Sequence, residues 1–156
     1  MLSNDILRSL RYTLKANNND MVRILALADM ESISANFDTW TTKEDEDGFV
    51  RCPDIILSGF LNGLIYHLRG KDESAPELAL ERRVNNNTVL KKLRIAFSLK
   101  TDDILAIMTE QKFRVSMPEI TAMMRAPEHK NYRECGDQFL RYFLRGLTHR
   151  VHHTKA

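Results

Sequence analysis

Two stretches of this chain, CPDIILSGFLNGL at residues 52–64 and CGDQFLRYFLRGL at 135–147, share the pattern Cys-x-Asp-x-x-Leu-x-x-Phe-Leu-x-Gly-Leu. They lie 83 residues apart, and the same shift aligns the sequence upstream of them. Asn4, Leu7, Leu10, Arg11, Asp20 and Ile24 recur as Asn87, Leu90, Leu93, Arg94, Asp103 and Ile107. With Cys52, Asp54, Leu57, Phe60, Leu61, Gly63 and Leu64 this makes 13 identities over the 65 positions from 4 to 68. Unrelated segments of ordinary composition match at about 6 % of positions, about four here. The chain is therefore an internal duplication, which fixes its architecture more firmly than its chemistry.

Working outward from the motif, each copy reads as four helices. In the first copy Asn4 is expected to cap a helix bearing Ile6, Leu7, Leu10 and Leu14 at helical spacing. Asn17, Asn18 and Asn19 break it, because Asn favours caps and turns. Asp20 then opens a helix with Met21, Ile24, Leu25 and Ala28 on one face, and Ile33, Phe37 and Trp40 are spaced for a shorter third. Residues 41–53 read as a loop containing Glu44, Asp45, Glu46 and Asp47, and Asp54 is expected to cap the fourth helix. The polar stretch 69–86 reads as a linker, with a short helical piece at 77–82.

The second copy follows the same programme. Val89, Leu90, Leu93 and Phe97 mark its first helix, and Thr101 or Asp102 is expected to cap the second. Ser116, Pro118 and Glu119 form a capping box for the third, which Pro127 ends. Asp137 is expected to cap the last helix. No segment shows sustained period-two alternation with β-branched residues. The expected fold is all-α, a tandem duplication of a four-helix unit with no β-sheet: first repeat 1–68, linker 69–86, second repeat 87–153. Gly63 and Gly146 lie inside the fourth helices, where Gly is disfavoured by about 1 kcal/mol relative to Ala. Its recurrence predicts close approach of another helix backbone.

Composition narrows the class. The chain has 156 residues, 43 % hydrophobic and 28 % charged, enough for a core in an ordinary soluble protein. No stretch approaches the roughly 18–20 apolar residues of a membrane span, and residues 1–5 lack a basic segment followed by an apolar run, so no secretory signal is expected. The expected compartment is the cytoplasm. There Cys52 and Cys135, at equivalent positions, read as two buried thiols and not as a disulfide. Charge is uneven: residues 1–78 hold 8 Lys/Arg against 13 Asp/Glu, and residues 79–156 hold 15 against 8. Such halves attract each other or another chain, or the basic half meets a polyanion.

The strings RCPDIILSGFLNGLIYHLRGK (51–71), NNNTVLKKLRIAFSLKTDDIL (85–105) and NYRECGDQFLRYFLRGL (131–147) resemble the YehS-like family of bacterial proteins, a duplicated helical domain of unknown function. The resemblance covers essentially the whole chain and departs from it around residues 31–42. It implies a cytoplasmic bacterial protein and supplies no activity, cofactor or catalytic residue.

Signatures of chemistry are missing from the sequence. No phosphate-cradling Gly loop, Cys-x-x-Cys, His-Glu-x-x-His or nucleophile elbow occurs. The acidic run 44–47 lacks the alternating ligands of a calcium loop. His149, His152 and His153 would share a helix face, yet no acidic residue lies close in sequence, so they read as a frayed polar end. The expectation is a non-enzymatic binding or regulatory protein with no catalytic residue, cofactor or metal. Its leading form is a protein-interaction module, for another protein or for self-association. The alternative is nucleic-acid binding through helix-turn-helix-like repeats, the better copy being 102–108, the turn 113–116 and 118–125. Its contacts would come from Lys91, Lys92, Arg94, Lys100, Arg125, Lys130, Arg133, Arg141 and Arg145, mostly to phosphate.

Overall fold

A computed structural model describes residues 1–30 and 36–154. Among these residues there are eight helices and no strand, as the hydrophobic spacing predicts. They divide into two units, Met1–Val84 and Asn85–Ala156. The first unit holds α1 (Ser3–Leu14), α2 (Asn18–Ala26), α3 (Phe37–Trp40) and α4 (Asp54–Arg69). The second holds α5 (Asn86–Ala96), α6 (Thr101–Glu110), α7 (Met117–Met123) and α8 (Asp137–His153).

The motif helices are the spines of the two cores. In the first unit Leu57, Phe60, Leu61 and Leu64 are buried with Leu7, Leu10, Met21 and Leu25. In the second, Leu140, Phe143, Leu144 and Leu147 are buried with Leu90, Leu93, Ile104 and Met108. Each such side chain contributes about 1.5–3 kcal/mol on burial. α2 packs on α4 and α6 on α8, and the glycines permit it. A Cβ on Gly63 would stand 2.0 Å from the Ile24 carbonyl oxygen; one on Gly146 would stand 2.5 Å from Ile107 Cγ2. Ile24 and Ile107 are themselves a repeated pair, so the helix crossing is conserved between the copies.

Asn4 and Asn87 are not caps. Leu2 and Asn85 hold the N-cap positions. Asn4 is buried and donates to the Val50 carbonyl (2.8 Å) while accepting from the Cys52 N–H (2.8 Å). Asn87 does the same with the Arg133 carbonyl (2.9 Å) and the Cys135 N–H (2.9 Å), and adds the Met123 carbonyl (3.0 Å). Each asparagine thus ties the first helix of its unit to the loop that delivers the last one. A side chain that satisfies buried main-chain groups is needed there, since an unpaired one costs about 1–3 kcal/mol.

Other helix starts also move. Asn17 caps α2 with Asp20 as its reciprocal partner. Lys100, in place of Thr101 or Asp102, occupies the N-cap of α6, where the Asp103 carboxylate accepts its N–H at 2.7 Å. Asp54 and Asp137 are the first helical residues, one position after Pro53 and Gly136. The Ser116–Glu119 box of α7 forms as expected. That helix ends at Met123, whose carbonyl has Pro127, with no N–H, four residues on; Asn87 and the Arg133 N–H take the carbonyls of Met123 and Ala122. The third helix of the first unit is Phe37–Trp40, capped by Asn36; Ile33, expected on its face, lies outside the described residues. Phe37 is buried between Trp40 and Phe60, with ring centroids 5.6 and 5.7 Å away.

Candidate interaction site

The expected helical piece at 77–82 is absent; that segment is non-helical backbone laid along α4. Four polar residues spaced one helical turn apart hold it. Tyr66 Oη accepts the Leu78 N–H (2.9 Å), and Asn62 Nδ2 donates to the carbonyls of Leu78 (3.4 Å) and Ala79 (3.0 Å). Ser58 Oγ accepts the Glu81 N–H (2.9 Å), and Asp54 Oδ2 accepts the Val84 N–H (3.0 Å). Asp54 Oδ1 is anchored by the Ser3 hydroxyl at 2.8 Å. The segment therefore runs antiparallel to the helix.

The lengths agree. From residue 54 to 66 a helix rises about 18 Å, and six extended residues span about 20 Å. Only a nearly extended chain can reach all four partners, which is why the helix predicted at 77–82 does not form. The bonds between this stripe and residues 78–84 all go to main chain, so they do not depend on the side chains of that segment. Ser58 and Asn62 are buried beneath the segment, 4 % and 1 % exposed.

The basic residues expected to meet nucleic acid are distributed over several elements. Lys91 and Lys92 on α5 are half-buried, and Lys91 Nζ donates to the Arg125 carbonyl at 3.0 Å. Arg94 is half-buried; its first-unit counterpart Arg11 pairs with Asp38 at 2.8 Å, where the second unit has Thr121. Arg125 donates to the Asn131 carbonyl (3.3 Å), and Arg133 pairs with Glu119 (2.8 Å). These contacts brace the 124–134 loop. Lys100 and Lys130 are exposed, on the cap of α6 and in that loop. Arg141 and Arg145 are exposed and stand one turn apart on α8. The seven-residue α7, which would be the reading helix, carries no Lys or Arg.

Cys52 and Cys135 are free and buried. Burial, with a smaller effect of Asp54 and Asp137 respectively, pushes each thiol up to about 12. Their sulfurs are packing atoms. α8 does not fray at its histidines: it runs to His153, whose ring stacks on His149 at 4.1 Å, and His149 Nε2 lies 2.7 Å from the Glu110 carboxylate. Glu110 comes from α6 and is far from His149 in sequence, so the pairing has no local signal. Among the described residues no three His, Cys, Asp or Glu side chains converge as metal ligands, and no helix is long and apolar enough to cross a membrane.

No solved structure matches the chain. It is 77 % identical, over all 156 residues of both chains, to "Uncharacterized protein YehS" of Escherichia coli (strain K12). A family model described as "Protein of unknown function (DUF1456)" matches twice, at residues 3–70 and 86–151, once for each copy of the repeat. The chain belongs to this YehS-like family, DUF1456.

Proposed function

We propose that the protein is a non-enzymatic interaction module that takes hold of extended polypeptide. One observation carries this reading: the last helix of the first unit holds residues 78–84 of its own chain extended, with the side chains of Asp54, Ser58 and Tyr66 accepting main-chain N–H groups and Asn62 donating to main-chain carbonyls. Backbone pairing of this kind is how peptide-binding surfaces gain affinity without demanding one sequence. The buried thiols, each pushed up to about 12, argue against a thiol nucleophile, which needs a depressed value.

The second unit favours a polyanion by charge alone, with 13 Lys/Arg against 7 Asp/Glu over residues 85–156. That is the case for the nucleic-acid alternative. It is weakened by Lys91, Arg125 and Arg133, which are engaged in bracing a loop.

The test is panning of the full chain against a random dodecapeptide library, followed by anisotropy titration of selected peptides and of labelled RNA, single-stranded DNA and duplex DNA. At about 0.15 M salt, where charges more than about 8 Å apart are largely screened and non-specific phosphate contacts weaken steeply, peptides are expected to keep binding and nucleic acids to lose it. Failure to select any peptide, with nucleic-acid binding that survives this salt, would overturn the reading.

A further inference from the structure

The second unit carries the same stripe with its chemistry changed. Asp54, Ser58, Asn62 and Tyr66 of α4 correspond to Asp137, Arg141, Arg145 and His149 of α8. The upper anchor is preserved, since Asp137 Oδ1 accepts from Asn86 Nδ2 (2.7 Å) as Asp54 accepts from Ser3. The two middle positions are arginine. Arg141 is steadied by Gln138 (3.0 Å) and Arg145 lies over the Tyr142 ring (5.0 Å), both contacts within α8. Both side chains are exposed, whereas Ser58 and Asn62 are covered by the chain they hold.

Arginine has donors and no acceptor. At Arg145 a charged donor replaces the neutral Asn62 donor, so the guest must still present an acceptor there, and a carboxylate now fits better than a main-chain carbonyl. At Arg141 a donor replaces the Ser58 hydroxyl, which accepts a main-chain N–H in the first unit. A guest there must present an acceptor, and a carboxylate does so with opposite charge and two oxygens matched to the guanidinium fork. One helical turn separates the two arginines by about 6 Å, the distance between residues i and i+2 of an extended chain, which project to the same side.

We propose that the α8 stripe docks an extended acidic peptide, antiparallel to the helix, with Asp or Glu at i and i+2 facing Arg145 and Arg141. The proposal rests on the interaction-module reading and adds the site and the class of ligand.

The probe is a fluorescein-labelled dodecapeptide with the sequence of residues 73–84 carrying Glu73→Ser, Ala79→Glu, Arg82→Ser and Arg83→Ser, which gives acidic side chains at 77, 79 and 81. A control peptide carries Lys at those three positions. The full chain is expected to bind the acidic probe and not the control. Arg141→Glu with Arg145→Glu is expected to weaken the acidic probe by at least about tenfold, the loss of two charge-assisted pairs, and to confer binding of the Lys peptide. Both arginines are exposed, so an unchanged helical circular dichroism spectrum accompanies this result. Acidic-probe affinity unaffected by the double reversal would overturn the α8 site while leaving peptide binding intact. Absence of binding to the probe and to all library peptides would overturn both readings. Displacement of the probe by a dodecamer of single-stranded DNA that binds more tightly would make the pair a phosphate site and overturn the peptide assignment.

Discussion

Asn4 and Asn87 show how one residue joins parts of a unit that are remote in sequence. Their partners Cys52 and Cys135 are 48 residues away. Replacing Asn87 by Leu leaves the Cys135 N–H and the Arg133 and Met123 carbonyls without it, and is expected to destabilise the protein by about 2–4 kcal/mol; urea denaturation measures this, and a loss below about 0.5 kcal/mol, the level of neutral surface changes, would contradict it. The repeat marks both asparagines as important, but local spacing assigns Asn4 to a helix cap. Nothing near it in sequence names Val50 or Cys52 as its partners. The cysteines were legible as buried thiols from their equivalent positions alone. Each is buried and pushed up to about 12, which keeps it as the unreactive thiol near neutral pH. A thiol reagent is therefore expected to label Cys52 and Cys135 only after denaturation. Rapid stoichiometric labelling of the native chain would show that they are not sealed in.

At the scale of the helix, a close helix contact at Gly63 and Gly146 was legible from one recurring glycine, because its intrinsic disadvantage in a helix needs a packing reason; that the partners are α2 and α6 was not. The two positions differ in what an added methyl meets. At Gly63 it meets a main-chain oxygen at 2.0 Å, at Gly146 a side-chain methyl at 2.5 Å with the carbonyl oxygen at 3.2 Å. Overpacking of this kind costs about 1–3 kcal/mol. Gly63→Ala is expected at or above the top of that range and Gly146→Ala near the bottom, so equal melting points for the two variants would refute the backbone-contact reading. Helix starts were legible to within one or two residues, since several residues in each first turn accept or donate well. Asp103 illustrates the pH consequence. The Lys100 N–H, and secondarily Arg150, hold its carboxyl below the usual range. A folded-state value below the unfolded one adds stability above the unfolded value near pH 3.9, and that stability is lost as pH falls through the folded value. Asp103→Asn is accordingly expected to flatten the acid limb of the stability profile below about pH 4. An unchanged limb would mean that the cap bond does not differ between folded and unfolded chains.

At the scale of the molecule, duplication gives two units with one scaffold and different surfaces. Residues 1–84 hold 10 Lys/Arg against 14 Asp/Glu, and residues 85–156 hold 13 against 7. The scaffold was readable because core positions repeat: Leu57, Phe60, Leu61 and Leu64 return as Leu140, Phe143, Leu144 and Leu147. The clasp was not readable. Ser58, Asn62 and Tyr66 are replaced in the second copy by Arg141, Arg145 and His149, so a search for identities discards the stripe. Its signal is a polar line at every fourth residue of a largely apolar helix, and that line becomes meaningful only once residues 78–84 are seen against it.

The central claim is that α4 holds an extended main chain. The most direct test is native-state hydrogen exchange read amide by amide across residues 78–84. The amides of Leu78, Glu81 and Val84, bonded to Tyr66, Ser58 and Asp54, are expected to be protected relative to those of Ala79, Leu80, Arg82 and Arg83. Ser58→Ala should release Glu81 selectively. Uniformly fast exchange along the whole segment would contradict the clasp and, with it, the reading of these helices as polypeptide-binding surfaces.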